Sequence, residues 1–445
     1  MHDVSCTTAT ECMAVGSYED SSFEQAPLAE RWDGTAWTVQ PVPTPVGGSW
    51  PSLYGVACLS PTACTAAGDY VGRRAAHTTL VETWDGTGWE IQPSANPPES
   101  FGGTLDGGVA CWSATSCMSV GSHPDMNLDA TLAERWDGTA WTIQSTPNPP
   151  GTYRELAAIS CPSATACTAV GHSFEEPGFV QRTLAEAWDG TRWWIQPTPD
   201  LPSHASLEGV SCTSDAACTA VGSYYDPGSA TYATLAERWD GAAWTIQPTP
   251  NPSANSGLNA VSCTSETACT AVGSSGSPGT TLAEAWDGAS WSIEPMPSPQ
   301  GEARLNGVSC PSATACTATG QYYDLGSGTY FTLAEGWDGA AWQIQPTPTP
   351  AHGATLAGVS CASSSACIAV GNYSLQGYGS GGPLAERWDG TAWTMELPIV
   401  PPGVKNASLA GVSCTAPTEC IATGSYTPYY PGPSPTGTLA ERYSG

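Results

Sequence analysis

Apolar and polar residues alternate along the chain in short stretches that are separated by glycine, proline and aspartate. Each stretch is rich in Val, Ile, Thr, Trp or Tyr and alternates with a period of two residues, which is typical of β-strands. No sustained stretch has the ~3.6-residue apolar period of an amphipathic helix. The pattern therefore predicts an all-β protein.

The stretches recur as one unit that is present in nine copies, and the first cysteines of successive units are 47 to 53 residues apart. A fixed period of this length is typical of repeat architectures. The unit from Leu207 to Pro252 contains four predicted strands, which we name a, b, c and d. Its Pro-rich end, Pro248 to Pro252, cannot continue a strand ladder and is predicted to be an extended connector.

Strands c and d are joined by the dipeptide Asp-Gly in eight units. A two-residue type I′ turn needs positive φ at both central residues, and Asp-Gly is a strong signal for it. In the first unit this turn pairs Trp32 with Thr35. Glu30 then pairs with Trp37, and the alternation places both tryptophans, Glu30 and Leu28 on one face. We expect this face to pack against small Ala and Gly residues of a neighbouring unit.

Four antiparallel strands in a repeated unit are typical of a β-propeller blade. We predict a single domain over residues 1–445, an all-β propeller of nine four-stranded blades with about 51 residues in each repeat. A β-solenoid is the alternative, but its strands are parallel and its repeats are shorter. The ninth unit ends with strand c at Tyr443 and lacks strand d. Either the first and last units share a closing blade, or the last blade has three strands.

Eighteen cysteines form nine pairs, and five residues separate the members of each pair. Antiparallel neighbours lie ~4.5–5.5 Å apart at Cα, so we predict one disulfide within the a–b hairpin of every blade. A zinc site is the alternative, but zinc needs about four ligands, and the six histidines keep no fixed place beside the pairs. The predicted disulfides are Cys6–Cys12, Cys58–Cys64, Cys111–Cys117, Cys161–Cys167, Cys212–Cys218, Cys263–Cys269, Cys310–Cys316, Cys361–Cys367 and Cys414–Cys420.

This cysteine pattern indicates an oxidising compartment, and we predict a secreted, extracellular protein. The first cysteine motif follows Met1 almost directly, so we expect that a signal peptide has been removed from the chain.

The formal net charge is −29, with 41 acidic and 12 basic residues. This charge excludes sequence-independent binding of nucleic acid and disfavours an anionic membrane surface. Membrane insertion is not expected, because no apolar run approaches the ~20 residues that span a bilayer. The chain also has no nucleophile elbow, no His-Glu-x-x-His and no phosphate-binding loop. We therefore predict no catalytic residues, no cofactor and no metal.

A glutamate occupies the same place in strand c of every unit, on the apolar face between Leu and Trp. An unpaired charge is costly there, so the residue is either a structural acceptor of hydrogen bonds or a ligand-facing acceptor for hydroxyl groups. The tryptophans are likewise either core between blades or platforms for a ligand. The candidate ligand-binding glutamates are Glu30, Glu134, Glu237 and Glu386.

The b–c loops vary in length, whereas the a–b and c–d turns are constant. In an up-and-down blade the b–c loops and the connectors between units emerge on one side, where repeat proteins commonly bind. Aromatic residues crowd these loops, including Tyr225, Tyr232, Tyr323, Tyr330 and Phe331. Tyrosine suits a sugar ring or a protein partner, and packing within the loops is the alternative. The candidate ligand-binding tyrosines, two residues after the strand b glycine, are Tyr18, Tyr70, Tyr224, Tyr322, Tyr373 and Tyr426.

The stretch Leu-Ala-Glu-Arg-Trp-Asp-Gly-Thr-Ala-Trp, with Val-Ser-Cys and Cys-Thr-Ala-Val-Gly, resembles repeats of secreted propeller-like proteins of actinobacteria. The run from Trp239 to Trp244 also resembles the blade motif of small fucose-binding propeller lectins, whose sugar sites lie between blades and use Glu, Arg and Trp. Those lectins carry their Glu one residue further from Trp-Asp-Gly, and a shift of one residue moves a strand side chain to the other face. The resemblance therefore implies sugar binding in general.

These observations predict an extracellular, multivalent, lectin-like propeller that binds cell-surface glycans, because repeated shallow sites raise avidity. The alternative is a rigid protein–protein interaction scaffold or targeting subunit that binds an extracellular protein. A hydrolase or lyase with one loop-built site is a third hypothesis. The predicted partners are thus glycans or a protein, with no nucleic acid and no membrane insertion.

Overall fold

The computed structural model describes residues 3–8, 11–19, 25–32, 37–46, 48–72, 77–94, 103–105, 109–113, 116–125, 128–148, 153–163, 165–175, 178, 180–348, 350, 353–375, 380–396, 404–416, 419–428 and 437–444. Every regular element in these residues is a β-strand, which confirms the all-β prediction. They include no helix that is long and apolar enough to cross a membrane.

The chain groups into two compact units, and the prediction of a single domain stays a prediction. The first unit comprises residues 1–127, 132–145 and 350–445. In chain order its strands are β1 (Asp3–Thr8), β2 (Glu11–Glu19), β3 (Gln25–Trp32), β4 (Trp37–Gln40), β5 (Ser49–Ser60), β6 (Ala63–Val71), β7 (His77–Trp84), β8 (Trp89–Gln92), β9 (Val109–Ser113), β10 (Ser116–Asp125), β11 (Leu128–Trp136, which begins in the second unit), β12 (Trp141–Gln144), followed after the second unit by β29 (Ala354–Ser363), β30 (Ala366–Leu375), β31 (Ser380–Trp388), β32 (Trp393–Glu396), β33 (Val404–Ala416), β34 (Glu419–Pro428) and β35 (Gly437–Ser444).

The second unit comprises residues 128–131 and 146–349 and holds the longest continuously described part of the chain. Its strands are β13 (Tyr153–Ser163), β14 (Ala166–Glu175), β15 (Val180–Trp188), β16 (Trp193–Ile195), β17 (Ala205–Ser214), β18 (Ala217–Asp226), β19 (Thr231–Trp239), β20 (Trp244–Gln247), β21 (Gly257–Ser265), β22 (Ala268–Ser275), β23 (Thr280–Trp286), β24 (Trp291–Glu294), β25 (Ala303–Ser312), β26 (Ala315–Asp324), β27 (Thr329–Trp337) and β28 (Trp342–Gln345).

The strands form one sheet per repeat, and each sheet holds its strands side by side in chain order. We number the sheets 1 to 9 from the N-terminus and keep the names a to d for their strands. Sheets 1 to 8 have four strands, whereas sheet 9 has only β33, β34 and β35 among the described residues. The prediction of nine four-stranded blades is therefore corrected to eight, and closure into a ring stays a prediction.

Disulfides close the a–b hairpin in seven sheets, as the cysteine spacing predicts. In sheet 5, Cys212 and Cys218 are register partners on adjacent strands, with Cα atoms 4.0 Å apart. The confirmed bridges are Cys58–Cys64, Cys111–Cys117, Cys161–Cys167, Cys212–Cys218, Cys263–Cys269, Cys310–Cys316 and Cys361–Cys367. The side chains of the pairs Cys6–Cys12 and Cys414–Cys420 lie outside the described residues.

The c–d turn is wider than the two-residue turn that Asp-Gly predicts. In sheet 5, Trp239 pairs with Trp244, so four residues form the loop. The carboxylate of Asp240 accepts hydrogen bonds from the amides of Ala242 and Ala243, both at 2.9 Å. The glycine after the aspartate has a φ of 91°, which only glycine adopts without strain. The aspartate side chain thus closes a longer loop than a type I′ turn.

This wider loop corrects the predicted register of strands c and d. In sheet 1, Trp32 pairs with Trp37 and not with Thr35. Glu30 in turn pairs with Val39 and not with Trp37. Because the register differs by two residues, every side chain keeps the face that the alternation predicts.

Within each unit the core lies between consecutive sheets, and sheets 2, 3, 5, 6 and 7 turn their tryptophan faces toward the preceding sheet. In the second unit, Leu235, Trp239 and Trp244 of sheet 5 pack against Val170 and Ala185 of sheet 4. Burial of each large apolar side chain stabilises the fold by roughly 1.5–3 kcal/mol. The tryptophans that flank the Asp-Gly turns in these sheets are therefore core residues between sheets, whereas Trp50 is 57% exposed.

The small residues of strand b lie beside the tryptophans on the same face, which corrects the expectation that they belong to the opposing sheet. Cys218 pairs with Trp239, and Ala220 pairs with Glu237. A Cβ at Gly222 would lie 2.0 Å from the carbonyl oxygen of Ser206 on strand a. The motif Cys-Thr-Ala-Val-Gly is thus required by close packing within one sheet, and the opposing surface is formed by Val and Ala.

Candidate ligand-binding site

The repeat glutamates lie in the interior between sheets. Those with described side chains have 0% exposure, and they are Glu82, Glu134, Glu186, Glu237, Glu284, Glu335 and Glu386. Burial disfavours the charged carboxylate. It raises the pKa to about 8 at Glu82, Glu186, Glu237 and Glu335. At Glu284 burial raises the pKa to about 7. The formal charge of −29 therefore overstates the negative charge that the protein carries at neutral pH.

A threonine of the preceding sheet donates to two of these glutamates. The hydroxyl of Thr131 donates to Glu186 at 2.9 Å, and the hydroxyl of Thr234 donates to Glu284 at 3.1 Å. In sheet 1 the same place is taken by Pro27, and neither carboxyl oxygen of Glu82 has a hydrogen-bond partner among the described residues. The repeat glutamate is thus an inter-sheet packing residue.

This placement corrects the candidate ligand residues Glu134, Glu237 and Glu386. Their side chains have no exposed surface, so they cannot contact a ligand that arrives from solvent. The side chain of Glu30 lies outside the described residues. Burial favours the structural interpretation of the repeat glutamate, and at Glu186 and Glu284 the donor is a threonine hydroxyl in place of a backbone amide or an indole.

The candidate tyrosines lie at the edge of the inter-sheet core and are half-buried. Their rings pack against the hydrophobic cluster that lies between their own sheet and the preceding sheet. This holds for Tyr70, Tyr224 and Tyr322. Tyr373 holds the same register position in sheet 8 and is also half-buried. The side chains of Tyr18 and Tyr426 lie outside the described residues.

More exposed tyrosines occupy the adjacent strand position, on the opposite face from the candidate tyrosines. They are not among the candidate ligand-binding residues. Tyr225 and Tyr232 are register partners in sheet 5, with ring centroids 5.5 Å apart in an edge-to-face arrangement. Tyr323 and Tyr330 form the same pair in sheet 7 at 5.1 Å. Tyr232 is 47% exposed and Tyr330 is 41% exposed. Strand alternation is the signal that separates them from the half-buried set.

Two aromatic pairs face sheet 6 from its two sides. Tyr225 shares a strand face with Val221, which packs against Leu258 of sheet 6. On the other side, Tyr322 packs in the cluster that contains Val272 of sheet 6. Its register partner Phe331 stacks on it, with centroids 5.5 Å apart and an interplanar angle of 23°.

The b–c hairpin of sheet 6 is shorter than those of sheets 5 and 7. Its last pair is Ser275 with Thr280, whereas sheet 5 continues for two further pairs to Asp226 with Thr231. At ~3.4 Å per residue, the flanking hairpins extend about 7 Å further. We call the region above this short hairpin the aromatic notch, and the turn at residues 276–279 is its floor. One wall is the pair Tyr225–Tyr232, which lies one pair beyond the level of Ser275–Thr280, and the other is the pair Tyr322–Phe331, which lies at that level.

Backbone hydrogen bonds hold the three hairpins of the notch in place. The amide of Ser256 donates to the carbonyl of Tyr232 at 2.9 Å, which ties sheet 5 to sheet 6. The amide of Ala303 donates to the carbonyl of Gly279 at 2.7 Å, which ties sheet 6 to sheet 7. Because these bonds depend on no side chain, the walls are preorganised by the backbone.

A cleft of about 440 Å³ opens along the Tyr322–Phe331 wall. This volume falls within the ~300–1,000 Å³ of typical small-ligand sites. Pro299 and Pro346 add apolar surface, and Gln345 and Thr347 add polar groups. The structure thus places the candidate Tyr322 in a cleft of ligand size.

A second crevice, of about 110 Å³, lies between sheets 6 and 7 near their disulfides. It is lined by Trp286, Trp337 and Glu294, and the indole N–H of Trp342 donates to the Glu294 carboxylate. Burial raises the pKa of this carboxyl. The crevice is well below the volume of a typical ligand site.

The described residues contain no group of three or more His, Cys, Asp or Glu side chains that could hold a metal ion. The turn aspartates are instead occupied by their own loops. In sheet 3, hydrogen bonds from Thr139 and Ala140 hold the pKa of Asp137 at about 2.

Comparison with solved structures shows which fold these sheets share. Sqt1 from Chaetomium thermophilum is 11% identical over 88% of this chain and 96% of that chain, with a TM-score of 0.50. The same protein bound to the N-terminus of the ribosomal protein L10 is 12% identical over 88% and 96%, with a TM-score of 0.52. Similarity at this identity concerns the fold alone. The chain has a β-propeller-like repeat fold. No protein-family model and no curated protein matches it.

Proposed function

We propose that the protein is an extracellular β-propeller that binds carbohydrate without transforming it. The observation that carries the proposal is the cleft of about 440 Å³ against the stacked Tyr322–Phe331 pair. Aromatic faces supply stacking surface for a pyranose ring, while the amide of Gln345 and the hydroxyl of Thr347 supply hydrogen-bonding groups at the rim.

Secretion is part of this proposal and is supported by the disulfides. Seven hairpin bridges occur in the described residues, and such bridges persist in oxidising compartments outside the cytosol. The resemblance to secreted actinobacterial repeat proteins supports the same location. Multivalency rests on the repetition of the unit.

A glycan array probed with the purified protein tests the proposal. Binding to a defined glycan class, with the glycan recovered unchanged by mass spectrometry, is the expected result. Calorimetric stoichiometry then counts the sites in each chain. An array without any signal above background would refute carbohydrate binding, and recovery of a cleaved glycan would refute the non-catalytic assignment.

A partner protein is the second candidate, because the hairpin tips of sheets 5 and 7 expose large apolar side chains. At the tip of sheet 7, Leu325 is 76% exposed and Tyr330 is 41% exposed, and in sheet 5 Tyr232 is 47% exposed. Sqt1, whose fold is similar, has been solved with the N-terminus of a ribosomal protein. A protein that binds at these tips is expected to lose affinity for a Leu325→Asp variant, and unchanged affinity would place its site elsewhere.

A further inference from the structure

We propose that the aromatic notch binds an internal segment of a linear glycan that carries no acidic groups, and that a single sugar ring is too short to fill it. This inference rests on the proposed function and names the ligand class of that site. Its carrying observation is the presence of two aromatic walls on different sheets, one on each side of a shortened hairpin.

The two walls differ in origin, and that difference sets the length of the ligand. Tyr225 and Tyr232 belong to sheet 5, whereas Tyr322 and Phe331 belong to sheet 7. All of sheet 6 lies between them, so one pyranose ring stacks on one wall only. A chain of several rings reaches both walls, and each additional contact adds affinity without a second association step.

The floor of the notch supplies the polar contacts that a sugar chain needs. Ser277 is exposed in the short turn, and Asn255 is exposed beside it. The side-chain oxygen of Asn255 accepts from the amide of Tyr232 at 3.3 Å, and its carbonyl accepts from Gly276 at 3.1 Å. These bonds fix the orientation of Asn255. Both use oxygen atoms of Asn255, so its side-chain N–H groups take part in neither bond. The floor therefore offers hydroxyl and amide groups at a fixed position.

The charges around the notch determine which glycans it accepts. Asp324 lies two residues after Tyr322 on the same strand face, and burial and the charge of Asp324 both raise the pKa of the Tyr322 hydroxyl. Glu302 is exposed, and its Cγ lies 3.7 Å from the position of a Cβ on Gly279 in the floor. Two carboxylates at the notch repel uronic acids and sulfated sugars, whereas neutral and amino sugars are tolerated.

The open ends of the notch favour an internal segment over a chain terminus. The walls stand on two sides, and each wall is a hairpin that ends at its own tip, Asp226 in sheet 5 and Asp324 in sheet 7. A recess bounded on two sides accepts a chain that continues beyond it in both directions.

Isothermal titration calorimetry with three oligosaccharide series tests the inference. The series are neutral hexose oligomers, amino-sugar oligomers and uronic acid oligomers, each from one to six sugar units. The expected result is binding that tightens with length for a neutral or amino-sugar series, with no detectable binding of the uronic acids. Equal affinity for single sugars and hexamers, or preferred binding of uronic acids, would overturn the inference.

A matched pair of tyrosine variants locates the site. Tyr232 and Tyr330 are the corresponding residues of sheets 5 and 7, and both are exposed, but only Tyr232 faces the notch. Tyr232→Ala is expected to weaken binding of the hexamer about tenfold, because one stacked ring is lost. Tyr330→Ala is expected to leave affinity unchanged, and thermal unfolding confirms that both variants fold.

The outcomes separate this inference from the proposed function. If oligosaccharides bind but both variants retain full affinity, or both weaken equally, the notch is not the site while carbohydrate binding stands. If no series binds and the glycan array is also negative, the proposed function itself fails. An Asp324→Asn variant sharpens the charge argument, since it is expected to make the uronic acid series detectable.

Discussion

The glutamate of strand c and the aspartate of the following turn are only three residues apart, yet they behave in opposite ways. Glu237 is 0% exposed, and burial raises its pKa to about 8. Asp240 lies in the exposed loop, where hydrogen bonds from Ala243 and Ala242 lower its pKa. The same carboxyl group is thus held protonated at one position and ionised at the other.

The comparison shows that burial and hydrogen bonding, and not residue type, decide what an acidic residue does in this protein. Desolvation disfavours the charged form of the glutamate, whereas amide donors stabilise the charged form of the aspartate. The acidic residues therefore fall into two groups. The repeat glutamates between sheets are neutral over much of the pH range, and the turn aspartates carry negative charge.

The largest expected effect is a loss of stability as the pH rises from 4.5 toward 8. A carboxyl whose pKa is raised in the folded state stabilises the fold fully below the unfolded pKa of 4.5, and this contribution disappears as the pH rises toward about 8. One shift of this size corresponds to at most ~5 kcal/mol. Thermal unfolding between pH 3 and pH 9 is expected to show its highest midpoint near pH 4–5.

The turn aspartates shape the acid side of that profile. Hydrogen bonds lower the pKa of Asp137, Asp189 and Asp389 to about 2, so their contribution is present above 3.8 and is lost as the pH falls. A midpoint that is constant or that rises from pH 5 to pH 8 would show that the repeat glutamates are not buried as described.

The next largest effect is expected for Glu237→Gln. Glutamine has the same shape but no charge, so the variant avoids ionisation in the core and is expected to be more stable than the natural protein at pH 8 by about 2 kcal/mol or more. At pH 4.5 both proteins carry a neutral side chain, and equal stability is expected. Denaturant unfolding at the two pH values measures the difference, and an equal effect at both would contradict protonation of Glu237.

A smaller loss is expected when the donor of a buried glutamate is removed. Thr234→Val deletes the hydroxyl that bonds Glu284 and is expected to cost about 1–2 kcal/mol at pH 5, because the carboxyl loses a buried partner. Thr245→Val is the matched control, since that exposed hydroxyl on strand d donates to the Arg238 carbonyl and accepts from Gln247, both within its own sheet. Equal effects of the two substitutions in urea unfolding would contradict the inter-sheet role of Thr234.

The smallest effect is expected for Asp240→Asn. The amide retains one acceptor for the loop but loses the charge that the two backbone donors favour, so a small drop in the unfolding midpoint is expected at pH 7. The difference from the natural protein is expected to shrink in acid as the carboxylate of Asp240 becomes protonated. A gain in stability at pH 7 would mean that removing the charge of Asp240 has the same effect as removing the charge of Glu237, which would contradict the contrast between the two residues.

Several features of the fold follow from local sequence alone. The spacing of Cys212 and Cys218 is enough to predict a hairpin disulfide, because their separation brings register partners on adjacent strands together. The face of Trp239 and Glu237 also follows from alternation and is unaffected by the wider turn. The predicted width of the c–d turn is wrong, because the preference of Asp-Gly for a two-residue turn takes no account of the hydrogen bonds that the Asp240 side chain accepts.

The candidate site was predictable only in part. The aromatic loop face was expected, but Tyr224 was selected over Tyr232, which is the more exposed ring. Both faces of sheet 5 meet a neighbouring sheet, so alternation separates the two tyrosines without saying which one reaches solvent. Exposure depends on contacts with residues of the neighbouring sheets, which the alternation within one strand does not describe.

The sequence by itself determined the strands, their order within each sheet and the local disulfides, because all three depend on residues close together in the chain. The tertiary structure decided which acidic residues lose their charge and which aromatic rings are exposed. Those outcomes depend on the neighbouring sheet about fifty residues away, whose contacts set burial and therefore the dielectric environment of each side chain.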